Sequence, residues 1–66
     1  MIKMCALETG LVIEDMDKLT EYQLSAIKNT AEFYNVKLSD RILIGSEGSL
    51  YAFLRELSWN YDIKLV

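Results

Sequence analysis

Sixty-six residues and 7.6 kDa accommodate one small domain, residues 1–66, and no second. A formal net charge of −3 and a pI near 4.7 argue against a nucleic-acid partner, because binders of a phosphate backbone carry basic patches. One cysteine and no histidine exclude an internal disulfide and the common structural zinc sites, two of the usual supports for so short a chain.

Residues 2–7 alternate Ile2, Met4 and Ala6 against Lys3, Cys5 and Leu7, the period of a half-buried strand. Thr9-Gly10 suits a tight turn, after which Leu11-Val12-Ile13-Glu14 returns as a second strand and completes a hairpin. Thr20 and Gln23 have the spacing of a capping box, with Leu19 and Leu24 placed as its hydrophobic staple. That start predicts a helix from about Thr20 to Tyr34, closed by Asn35 in the left-handed conformation.

Arg41-Ile42-Leu43-Ile44 carries apolar residues on both faces, the pattern of a central, covered strand. Gly45-Ser46-Glu47-Gly48-Ser49 reads as a turn leading into a second helix, about Glu47 to Trp59. Either serine suits its cap, and Asn60 resembles Asn35 as a stop. Tyr61 to Val66 alternates again, with Tyr61, Ile63 and Leu65 on one face of a half-exposed strand. The order β-β-α-β-α-β predicts an α+β fold with a small mixed sheet of three or four strands and two helices. Its last two strands are expected to run parallel across a right-handed crossover, the final one beside residues 41–45.

Apolar residues make up 52% of the chain, which raises the question of what covers them. The second helix is simple: Leu50, Phe53, Leu54 and Leu57 share one core-facing stripe. The first is less so. Leu24, Ile27, Ala31 and Tyr34 lie on one side, while Tyr22, Ala26 and Phe33 lie roughly 140° away. A sheet covers only one side of a helix, so the other must meet the second helix or another chain. A domain this small sits near the margin of stability alone, which favours the second option. The expectation is a contact surface of Tyr22, Phe33 and Trp59 for a protein partner or a second copy, a homodimer being the simplest case.

Three groups could carry chemistry instead. Residues 1–21 hold two lysines against five carboxylates, so the whole excess of negative charge lies there. Glu14, Asp15 and Asp17 lack the glycine and bidentate glutamate of a calcium loop, and steering of a basic partner suits them better than metal binding. The turn at Gly45, Ser46, Gly48 and Ser49 offers backbone N–H groups and hydroxyls to an anion or nucleotide. It has no P-loop lysine, however, and Glu47 opposes an anion. Cys5, in an alternating strand and with no histidine to activate it, reads as a small buried hydrophobe.

The composition removes the commonest general base and metal ligand together, so no catalytic residue, cofactor or metal is assigned. No apolar run approaches a membrane span, and Glu8 interrupts the N-terminal apolar stretch before a signal peptide could form. A cytoplasmic, non-enzymatic interaction module that acts as a small acidic regulator or inhibitor is the expected function. A small anion-binding module using residues 45–49 is the alternative.

Overall fold

The computed structural model describes residues 1–66 and contains two helices on a five-stranded mixed sheet. Strands β1 (Ile2–Ala6) and β2 (Gly10–Ile13) form the expected hairpin. A single 3-10 turn at Met16–Lys18 leads to helix α1 (Glu21–Phe33). Strands β3 (Lys37–Ser39) and β4 (Ile42–Ile44) follow, then helix α2 (Glu47–Asn60) and strand β5 (Ile63–Leu65).

Local chemistry explains most of the boundaries. Thr20 caps α1 as a full capping box: its hydroxyl accepts from the Gln23 N–H at 3.1 Å, and the Gln23 amide oxygen accepts from the Thr20 N–H at 2.9 Å. Asn35 stands at φ 58°, the left-handed residue that ends this helix. Ser46 caps α2 by accepting from the Ser49 N–H at 3.2 Å. Asn60 departs from the expected pattern. It remains helical, and the chain leaves through Tyr61 in extended conformation at φ −139°, passing straight toward β5 with no left-handed residue.

The sheet order is β3-β4-β2-β1-β5. The fifth strand is β3, which pairs antiparallel with β4 through Ser39 opposite Ile42. The two-residue turn between them holds Asp40 at φ 58°, a conformation aspartate tolerates better than most residues. Strands β4 and β5 do run in the same direction, since β4 is antiparallel to β2, β2 to β1, and β1 parallel to β5. They are not neighbours, however: β5 lies on β1, with Ile2 opposite Ile63. The expected place of the last strand, beside residues 41–45, is taken by β2 and β3.

Gly10 belongs to β2, not to the turn, which is made by Leu7, Glu8 and Thr9 and closed by Leu7 N–H donating to Gly10 C=O at 2.8 Å. A Cβ at position 10 would meet the backbone carbonyl of Leu43 on β4. Glycine is therefore required by close approach of two strands.

Both helices cover the same side of the sheet. Ile2, Met4, Leu11, Ile13 and Leu43 project from that side and form one buried cluster with Ile27, Ala31, Val36, Phe53 and Leu57. No helix covers the other side. Cys5, Val12, Ile42 and Ser39 form one row across it, and Ile42 and Ile44 remain 37% and 45% exposed. Strand β4 is thus interior in the sheet but open on one face, a correction to the expectation that its apolar faces are both covered. The molecule exposes 4643 Å², against roughly 4,300 Å² for a monomer of this mass. No helix is long and apolar enough to cross a membrane.

Candidate functional site

The side of α1 turned away from the core carries Tyr22 and Phe33, 83% and 74% exposed, about 16 Å apart along the helix axis. Neither is covered by α2. Leu24, Ile27, Ala31 and Tyr34 point the opposite way, with Ile27 and Ala31 buried and Leu24 and Tyr34 half-buried, as the helical period requires. On α2, Phe53 and Leu57 are buried and Leu50 and Leu54 half-buried, while Trp59 is 70% exposed.

Tyr34, on the Leu24, Ile27 and Ala31 side of α1, touches Phe33 and borders the same cavity as Trp59. The Phe33 and Tyr34 rings meet edge to face with centroids 4.9 Å apart. The Tyr34 hydroxyl donates to Glu56 Oε1 at 3.0 Å and so ties the end of α1 to α2. Above this bond lies an open cavity of about 280 Å³ between the helices, bordered by Tyr34, Tyr51, Arg55 and Trp59. Tyr51 is also exposed. The bond to the Glu56 carboxylate raises the Tyr34 hydroxyl above its ordinary value, because ionisation would forfeit that donation; partial burial and the carboxylate charge act in the same direction, and Arg55 opposes them.

Tyr22 stands apart, on the first turn of α1. The acidic loop leads directly into that end. Asp15 and Asp17 are exposed and Glu14 is half-buried, with Asp15 in the left-handed conformation ahead of the 3-10 turn. Glu14 and Asp15 share a cavity of about 310 Å³ with Lys3 and Lys18, so their field is partly offset by two lysines. The structure therefore places Trp59 in the groove with Tyr34 and Tyr51, leaves Phe33 outside its lining against the Tyr34 ring, and places Tyr22 and the acidic residues at the opposite end of α1.

At residues 45–49 the hydroxyls are engaged locally. Ser46 Oγ accepts from the Ser49 N–H and donates to Ser49 Oγ at 3.0 Å. Gly48 has open space on its Cβ side, and Gly45 lies against Val36. Glu8 and Glu47 both border the neighbouring cavity of about 450 Å³, an electrostatic setting opposed to an anion. Cys5 is half-buried on the open sheet face and is a free thiol. No three His, Cys, Asp or Glu side chains converge closely enough to hold a metal ion.

Tyr34 and Tyr51 are the residues of the groove that periodicity alone did not single out. Tyr51 had a signal, since it flanks the core stripe of α2. Tyr34 had none, because its role depends on a partner 22 residues away. Comparison of the chain with protein families, with curated proteins and with solved structures finds no significant match.

Proposed function

We propose that this protein is a non-enzymatic interaction module, a small acidic regulator or inhibitor that docks on a larger protein or on itself through the outer side of its helices. The observation that carries the reading is the groove along α2, where Tyr51 and Trp59 are each at least two-thirds exposed around a hydrogen-bonded Tyr34–Glu56 pair, with the exposed Phe33 ring next to it against Tyr34. Aromatic side chains offer large apolar area at low conformational cost and concentrate at the centres of protein interfaces. Tyr22 extends the same surface along α1, and Glu14, Asp15 and Asp17 at that end supply long-range attraction for a basic partner. A reduced Cys5 fits a cytoplasmic setting. The alternative, an anion held at Gly45, Ser46, Gly48 and Ser49, has less support, because the serine hydroxyls already cap α2 and two carboxylates stand nearby.

The test uses Trp59, the one tryptophan of the chain. Its emission is expected to shift to shorter wavelength as the protein associates with itself or with a protein captured from native lysate. Phe33→Asp is expected to abolish that shift while leaving the far-ultraviolet circular dichroism unchanged. Association of Phe33→Asp with native affinity would remove this face as the contact.

A further inference from the structure

Strand β5 is an edge strand, and its free edge is chemically self-complementary. Its bonds to β1 fix which backbone groups remain unpaired. The Asp62 carbonyl accepts from the Ile2 N–H at 2.8 Å, and the Val66 N–H donates to the Met4 carbonyl at 2.9 Å. With Ile2 opposite Ile63 and Met4 opposite Leu65 in a parallel pair, even-numbered residues of this strand face β1. The N–H and C=O groups of Ile63 and Leu65 therefore lie along the outer edge, with no strand beside them. Beneath this edge, Ile63, Leu65, Leu54 and Tyr51 border an open, largely apolar cavity of about 400 Å³ against α2, and Leu65 is 55% exposed.

We propose that this edge pairs antiparallel with the same edge of a second copy, joining two five-stranded sheets across a two-fold axis. The sequence Tyr61-Asp62-Ile63-Lys64-Leu65 selects the occupant and the register. Only registers that bring outward-facing residues opposite one another form bonds, and of these the ones centred on Asp62, Ile63 and Lys64 pair three or more residues of the segment with itself. Centring on Asp62 sets Asp62 against Asp62, and centring on Lys64 sets Lys64 against Lys64. Centring on Ile63 instead sets Asp62 opposite Lys64 of the other copy twice, with Ile63 against Ile63 and Tyr61 against Leu65 on the helix side. Opposite charges directly across an antiparallel pair stabilise it and like charges destabilise it. The same register closes the α2 cavity of each copy with the apolar side chains of the other. The second sheet edge lacks this property: β3 offers Lys37-Leu38-Ser39, in which every self-pairing leaves its lysine without an acid opposite.

This contact deepens the self-association reading but uses the sheet edge, not the Phe33 end of the helices, so the two can fail separately. The test is a charge-reversal cycle read by sedimentation equilibrium from about 1 µM to 1 mM. The native chain is expected to approach twice its 7.6 kDa mass with rising concentration. Asp62→Lys and Lys64→Glu each set like charges opposite one another at two symmetric positions and are expected to weaken the dimer about tenfold or more. The double variant restores both opposite-charge pairs in reversed order and is expected to recover the native dissociation constant within about threefold. Both positions of substitution are exposed and off the core, so circular dichroism is expected to be native throughout. A native chain that stays monomeric to 1 mM would overturn the proposal, as would single reversals without effect or a double reversal that fails to rescue. Loss of the dimer in Phe33→Asp with no response to the charge cycle would assign self-association to the helical face. Capture of an extended apolar peptide by β5, with the native chain monomeric, would assign the edge to a different occupant.

Discussion

Two glycines are expected to respond to alanine in opposite directions. Gly10 is buried in β2 opposite Ile44, and a methyl group there would meet the Leu43 carbonyl, a backbone atom that cannot rotate away. The two strands must separate locally, which weakens the bonds around the Gly10–Ile44 and Leu11–Leu43 pairs. Two lost hydrogen bonds at about 1 kcal/mol each, with looser contact between the buried Leu11 and Leu43, cost about 3 kcal/mol. Restricting the unfolded chain returns about 0.4–1 kcal/mol. The net expectation for Gly10→Ala is a loss of about 2 kcal/mol, or a fall in Tm of roughly 10 °C for a domain this size. Gly48 lies in the first turn of α2 with nothing near its Cβ direction, so Gly48→Ala removes glycine entropy without a clash and is expected to gain up to about 1 kcal/mol. Thermal melts and urea titrations followed by circular dichroism read both variants. A Gly10→Ala protein at least as stable as the native chain would refute the close-approach argument and return Gly10 to a simple turn role.

Three further outcomes follow from the same geometry. Thr20→Ala, by removing the capping acceptor of the Gln23 N–H, is expected to cost about 1 kcal/mol in urea unfolding. On β4 the two faces are expected to respond unequally: Leu43→Ala, at a fully buried position, costs about 2–5 kcal/mol, whereas Ile44→Thr on the open face costs under about 0.5 kcal/mol by the same assay. For Tyr34, a folded-state value raised above its unfolded value means that the stability it contributes is complete below pH 10.0 and is lost as pH rises through the raised value. Absorbance titration near 295 nm is expected to show one of the four tyrosines ionising late, and Glu56→Gln is expected to lower that step by removing the carboxylate acceptor.

What sequence reading captured was local and reinforced by several residues at once. The start of α1 rests on Thr20, Gln23 and Glu21 acting together, and its end on Asn35, which takes the left-handed conformation the expectation required. At Asn60 the same residue type marked where α2 ends but not the geometry of its exit, since the chain leaves through an extended Tyr61 packed against the core. Strand β3 was invisible for a different reason. Three residues give too little alternation to read, and its turn uses Asp40 where a glycine would have signalled it. The position of β5 beside β1 was not legible at all, since no local pattern states which of several same-direction strands a crossover will reach. At the candidate site, the exposure of Phe33 and Trp59 follows from helical period, whereas the groove that Trp59 borders depends on Tyr34 reaching Glu56 across two helices.

The pairing of Ile2 with Ile63 joins strands that are almost the whole chain apart. The β1–β2 and β3–β4 pairings are local in sequence, but β1 keeps a bare flank until the chain beyond α2 swings back. Folding is thus expected to be gated by one late, long-range closure, like a latch. A chain in which this closure is slowed is expected to prolong a half-assembled sheet with an unprotected Ile2–Met4 flank, a species open to intermolecular strand pairing.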